Sequence, residues 1–327
     1  MVRVVPENDL IANIALDEKV VADIETGFAH IQAGNATVPP IMMIPVPHLE
    51  AEVDIKAAYI KGLESLAVKV ASGFFQNAKR GLPSASGQML VLNAETGFLQ
   101  AVLLDNGYLT QVRTGAAGAV ASKYLAPRNA RDAGVIGSGT QARFQMRGLK
   151  LVRDIQTIRM WSLDPDEVQD RYVNEMSREL GVEVVRAESP EEVVRNSAVV
   201  VTTTPARKPF IKADWLHPGL HITAMGSDTE EKQELEAAVL GRADILACDL
   251  KSQVFRLGEH RSALAAGEIK ETDPIVELGA FVTGNHPGRS NDQEITVCDL
   301  TGVGVQDTMI ALRAYQIAQE FGLGVEI

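Results

Sequence analysis

Cysteine is nearly absent. Only Cys248 and Cys298 occur in 327 residues, and both lie in apolar, strand-like runs. Buried, reduced thiols are therefore expected, in a reducing, cytoplasmic setting. Basic runs are also missing, and the net charge is −12. That argues against binding to nucleic acid or to an anionic membrane surface. No apolar run reaches the roughly 18 residues of a membrane span. The first residues, with Glu7 and Asp9 and no apolar stretch, predict no signal peptide. The six histidines show no metal-ligand spacing, and no metal is expected. His217 and His221 are four apart, but Pro218-Gly219 keeps them off a common helix face. There is no serine-nucleophile elbow, no carboxylate pair with an obvious role, no internal repeat and no low-complexity segment.

What is present centres on Ala133-Gly134-Val135-Ile136-Gly137-Ser138-Gly139-Thr140-Gln141-Ala142. This reads as a buried strand, a glycine turn and a helix start. Gly137-x-Gly139-x-x-Ala142 has the spacing of a dinucleotide fingerprint, with Ala in the third place. Gly137 permits the tight turn, and Gly139 lets a pyrophosphate approach the backbone. Ala142 lets the helix pack close to the sheet. The helix N-terminus offers free N–H groups and the positive end of its dipole.

Before this stretch the chain is rich in strands. Residues 17–33 form an amphipathic helix, with Val20, Ile24, Phe28 and Ile31 at helical spacing. Pro39, Pro40, Pro45 and Pro47 then predict extended chain. Residues 53–60 alternate, with Val53, Ile55, Ala57 and Tyr59 on one face. Residues 66–70 alternate too, setting Lys69 on the face opposite Val68 and Val70. Residues 88–93 and 98–105 read as a hairpin. After residue 130 strands and helices alternate, with strands near 133–136, 157–162, 182–186, 198–203, 220–224, 243–249 and 295–300. Ser189-Pro190-Glu191-Glu192 is a helix start. The last helix runs over about 305–321. The fold class is α/β, with a doubly wound parallel sheet after a strand-rich part. A domain edge is expected in the alanine-rich helix at 115–126, and the last helix could return to the first domain.

Three residues stand out as candidates for chemistry, each with a plainer alternative. Lys69 is a lone cation in a strand, or part of a solvated sheet face. Arg113 precedes an alanine-rich helix, or serves an interdomain salt bridge. Asp228 follows a strand, where such sheets bind ligands, or caps a helix starting at Thr229. At the end of the second strand, Met160-Trp161-Ser162-Leu163-Asp164 offers neither an acid in the usual place for a ribose nor an arginine for a 2′-phosphate. The lack of arginine favours NAD(H) over NADP(H).

Together these pieces resemble the ornithine cyclodeaminase and mu-crystallin family over nearly the whole chain. The stretches that carry the resemblance are Gly62…Lys69, Gly81-Leu82-Pro83-Ser84, Leu104-Asp105…Leu109-Thr110-Gln111-Val112-Arg113-Thr114, the glycine loop, and Ala224-Met225-Gly226-Ser227-Asp228…Lys232-Gln233-Glu234-Leu235. Val38-Pro39-Pro40-Ile41, Glu52-Val53-Asp54-Ile55-Lys56, Gly73-Phe74-Phe75-Gln76-Asn77 and Leu103-Leu104-Asp105-Asn106-Gly107-Tyr108-Leu109-Thr110 show a closer resemblance, to the ectoine-utilisation branch of the family.

The resemblance implies a doubly wound dinucleotide-binding domain, 127–304, and an α+β domain built from both chain ends, 1–126 with 305–327, that makes a homodimer. It implies that Lys69 is the substrate-site lysine, Arg113 the carboxylate-binding arginine and Asp228 the catalytic aspartate. Ser84, Thr114, Ser138, Gly139, Gln141, Thr202, Gly226, Lys232 and Thr301 fall at cofactor-contacting places, beside Gly137 and Ala142 of the fingerprint. Ser162 falls where NAD-using members carry an acid. The activity implied is NAD(P)-dependent chemistry at the Cα–N bond of a small amino or imino acid, in ectoine breakdown if the branch holds. The other class implied is a non-catalytic binder of mu-crystallin type. One departure matters: many members hold a second carboxylate-binding arginine where this chain reads Ile41-Met42-Met43-Ile44. Losing it argues against simple transfer of the ornithine activity.

Overall fold

Two sheets divide the strands of the chain between them. The computed structural model describes the backbone of residues 1–327 and all side chains except those of Phe75 and Ala78. Phe75, quoted above, thus lies outside the described side chains. The chain forms two units, Met1–Arg113 with Val303–Ile327, and Thr114–Gly302.

In the first unit the strands are β1 (Arg3–Pro6), β2 (Ala36–Thr37), β3 (Met42–Val46), β4 (Ala51–Ile60), β5 (Ser65–Phe74), β6 (Ala85–Asn93) and β7 (Leu99–Leu104). In the second they are β8 (Asp132–Ile136), β9 (Thr157–Trp161), β10 (Glu183–Arg186), β11 (Val199–Thr202), β12 (His221–Ala224), β13 (Ile245–Cys248), β14 (Ile275–Glu277) and β15 (Thr296–Asp299). β16 (Val325–Glu326) returns to the first.

The first sheet runs β16-β1-β7-β6-β5-β4-β2, with β3 also on β4. β4, β5 and β6 are antiparallel, in a register that sets Lys56 opposite Lys69 and Lys69 opposite Met89. The helix Glu18–Gln32 is capped by Asp17, whose carboxylate accepts from Val20 N at 2.8 Å. It packs against the last helix, Gly304–Phe321, which in turn lies on β4 and β5. Gly304 permits that approach, since a Cβ there would stand 2.1 Å from the Ala57 carbonyl oxygen.

The alternation of β4 and β5 holds, but the buried face is the other one. Lys56, Ala58 and Ile60 are buried on β4, and Ser65, Ala67 and Lys69 on β5. Val53, Ile55, Val68 and Val70 are only half-buried. The last helix covers the face that carries the lysines, so Lys69 is 2% exposed rather than solvated.

The second sheet is wholly parallel, in the order β10-β9-β8-β11-β12-β15-β13-β14. Strands β8 and β11 lie side by side although helices and two strands separate them in sequence. The order therefore reverses at β8, as in dinucleotide-binding sheets. Strands β11, β12 and β15 are buried on both faces, as parallel strands covered on two sides must be.

The division between units falls inside the helix Tyr108–Leu125, at Arg113–Thr114, rather than at residue 126. The helix runs through unbroken, so no turn residue marks the change. Among the described residues no helix is long and apolar enough to cross a membrane.

Candidate active site

In the second unit the glycine loop leaves β8 at the reversal point. Gly137 has φ +118°, and a Cβ there would meet Thr203 Oγ1 at 2.4 Å. Both the backbone and the space require glycine. Gly139 is the N-cap of the helix Thr140–Val152 and gives it no side-chain cap. A Cβ at Gly139 would meet nothing within 4 Å. A bare helix N-terminus beside open space fits a pyrophosphate, so the residues present suit a dinucleotide. Ala142 is buried, and the Tyr172 hydroxyl donates to its carbonyl at 3.2 Å.

At the end of β9 the Asp164 carboxylate accepts a short hydrogen bond from the Ser138 hydroxyl in the glycine loop. Ser162 Oγ accepts from Asp164 N at 3.2 Å and so helps shape the turn. Two extra residues of turn bring the acid back to the loop, a path that strand spacing could not show.

Thr202 and Gly226 meet at one carboxylate. Glu234 is fully buried and accepts from Thr202 Oγ1, Thr204 N and Thr204 Oγ1, each at 2.7 Å, and from Gly226 N at 2.9 Å. Burial pushes its carboxyl upward, against the pull of these donors. Glu259 holds the next residues. It accepts from Ser227 Oγ, from Glu234 N at 2.7 Å and from Leu235 N at 3.2 Å. Burial, then the Asp299 charge, push the Glu259 carboxyl up to about 8. Thr301 is held separately, its N–H donating to Asp249 at 2.9 Å. Thr114 gives its carbonyl to Gln145, which also bonds Gln141. Ser84 lies in the first unit, where its carbonyl accepts from Phe74 N at 2.7 Å.

Asp228 lies between the two carboxylate-held points. No helix begins at Thr229: the chain turns there, and the next helix starts at Ala237. The capping role is therefore excluded, because no run of helical N–H groups follows. The Asp228 carboxylate instead takes Lys232 Nζ at 2.6 Å, with its side chain 40% exposed. Two of the expected site residues are thus one ion pair.

In the first unit Lys69 and Arg113 come together, and two unforeseen residues join them. Asp307 Oδ1 lies 3.0 Å from Lys69 Nζ and 2.9 Å from Arg113 Nε. Both are ion pairs without hydrogen-bond alignment. Arg113 Nη1 donates to Gln306 Oε1 at 2.6 Å. The Arg113 ion pair thus stays within its own unit and is not interdomain. Lys56 is buried opposite Lys69. Like charges set opposite in a sheet are destabilising, which points away from a purely structural role. Burial, then the Arg113 charge, bring the Lys69 ammonium down to about 7, with Lys56 adding to the fall and Asp307 opposing it. Burial pushes Asp307 upward, but Arg113, Lys69 and Lys56 outweigh it and hold the carboxyl below its usual range. Burial raises Asp105, before the helix Tyr108–Leu125, to about 6.

The model of the ornithine cyclodeaminase/mu-crystallin family matches residues 3–321. The chain belongs to that family. An uncharacterized cyclodeaminase of Sinorhizobium fredii is 44% identical over 323 residues, 98% of this chain and 97% of that one. The solved structure of Thermococcus litoralis Δ1-pyrroline-2-carboxylate reductase with NADH and L-proline has a TM-score of 0.93. It is 31% identical, and the match covers 99% of this chain and 100% of that one. The iminosuccinate reductase of Paracoccus denitrificans with NAD+ has a TM-score of 0.90 at 32% identity, covering 100% and 99%. The chain is an NAD(P)-dependent enzyme that acts on small amino or imino acids.

Proposed function

We propose that the enzyme reduces a small α-imino acid to the amino acid with NADH, or runs the same step in reverse. The observation that carries this is the buried meeting of Lys69, Arg113 and Lys56 in one unit. A carboxylate substrate needs cations held ready in a dry place, where they are worth most. Arg113, fixed by Gln306 and Asp307, offers the planar fork that grips a carboxylate. Lys56 stands in for the arginine missing at Ile41-Met42. Lys69 exchanges a proton near neutrality, as a donor to an imine nitrogen or acceptor from an amine must. Asp228 handles a second proton of the reaction. Nicotinamide dinucleotide, when bound, supplies the hydride or takes it up.

Asp164 supports NADH over NADPH, because its carboxylate would repel a 2′-phosphate. The test is loss of NADH absorbance on adding cyclic and linear α-imino acids, and its gain when NAD+ is given the corresponding α-amino acids, diamino acids among them. The diamino acids also probe the proposed place in ectoine breakdown. Turnover is expected with NADH and at least one carboxylated imine, and more weakly with NADPH. Turnover equal for imines with and without a carboxylate would sink the proposal.

The first sheet supports assembly as a homodimer. Val53, Ile55, Val68 and Val70 are half-buried, while Met42 and Ile44 beside them on β3 are exposed. A continuous apolar face of this kind marks an association surface. Light scattering at micromolar concentration should give twice the chain mass, and a monomer there would contradict it.

A further inference from the structure

Asp307 moves no proton in the chemistry above, yet it contacts both reacting-site cations. We propose that Asp307 is a positioning residue that keeps Lys69 charged and Arg113 oriented, through one carboxylate oxygen held by both. The proposal rests on reading Lys69 as the group that exchanges a proton.

The geometry is specific. Asp307 is 0% exposed and sits in the first turn of an 18-residue helix, where the dipole favours a carboxylate. Gln306, next to it, accepts a hydrogen bond from Arg113 Nη1, while Asp307 sets a charge beside Nε. Two adjacent residues therefore bear on the guanidinium. The groups facing Lys69 are Lys56 from β4, Arg113 and Asp105 from the helix Tyr108–Leu125 and the turn before it, and Asp307 from the last helix. β6 sets the apolar Met89 opposite. Arginine does not give up its proton in a protein, so lysine is the cation that yields when charge is crowded. With Asp307 removed, Lys69 would face two cations and a single carboxylate, Asp105, whose own charge is disfavoured by burial. Its ammonium would then lose its proton at lower pH. Asp307, held below the usual carboxylate range, stays anionic while Lys69 titrates, so it acts as a fixed charge.

The test uses the full chain with carbon-13 at lysine Cε, the Lys69 signal being assigned by its loss in Lys69→Met. The Lys69 midpoint should fall by roughly 1–3 pH units in Asp307→Asn, the usual effect of losing one close opposite charge. It should rise in Lys56→Met, which removes a like charge, and stay near the parent in Asp307→Glu. The corresponding limb of the kcat/KM profile should move with it. An unmoved Lys69 midpoint in Asp307→Asn overturns the proposal. If that variant does not fold, an unmoved midpoint in Lys56→Met does so instead. A midpoint that moves while the rate profile stays still upholds the role of Asp307 and removes Lys69 from proton exchange.

Discussion

Asp228→Asn is expected to fold, bind the dinucleotide and lose roughly 10²–10⁴-fold in turnover, the usual worth of a positioned acid–base group. The fold should tolerate the change because Asp228 caps no helix and sits on a turn. Its ion pair with Lys232 is part-exposed, with the carboxylate side chain 40% open to solvent. Such pairs contribute at most about 1 kcal/mol. Asn still offers an oxygen to Lys232 at the same place. What it cannot do is take up or release a proton near neutral pH. Steady-state hydride transfer, read beside the melting temperature and a dinucleotide titration, separates these effects. A variant that melts and binds as the parent does, and turns over equally fast, would show that Asp228 only tethers Lys232.

Glu234→Ala should produce the largest loss of stability. The parent carboxylate accepts four hydrogen bonds, and all four donors lie at the ends of β11 and β12. Each buried donor left without a partner costs about 1–3 kcal/mol. Water entering the space would recover some of that. A net loss above about 3 kcal/mol is expected. For a domain of this class it corresponds to a fall of roughly 6–12 °C in melting temperature. Calorimetry checks it. Glu234→Gln should fall between variant and parent, since it keeps the volume and one acceptor oxygen. An alanine variant that melts with the parent would mean that these donors are satisfied elsewhere.

Much of the second unit was legible because its signals are local. A parallel sheet buries strands on both faces, so β8 and β11 stand out as apolar runs, and the glycine loop announces its own turn. The first unit was harder for a physical reason. In β4 and β5 the apolar residues alternate with lysines, and alternation tells only that two faces exist. Which one is buried depends on the last helix, far along the chain. Asp307 stayed hidden there behind an apolar stripe of Ile310, Ala314, Ile317 and Phe321. That stripe is itself imperfect, as Phe321 is exposed. Lys56 had been seen only as part of a motif, because its register against Lys69 is a property of the sheet. The short strands β1, β2, β14 and β16 carry too few residues to show a period. Asp164 was passed over because it lay two places beyond a strand end.

Lys69 and Arg113 are made early, and Asp307 is made late. At about 5–20 residues per second, roughly 10–50 s separate Lys69 from Asp307 on the ribosome. Through that interval the nascent first sheet holds two lysines, Lys56 and Lys69, on a face whose covering helix does not yet exist. β1 likewise waits for β16, its antiparallel partner at the other end of the chain. The emerging chain therefore has time to meet chaperones before this half can close. A product released early would keep an intact nucleotide fold and lack the anion that gathers its cations.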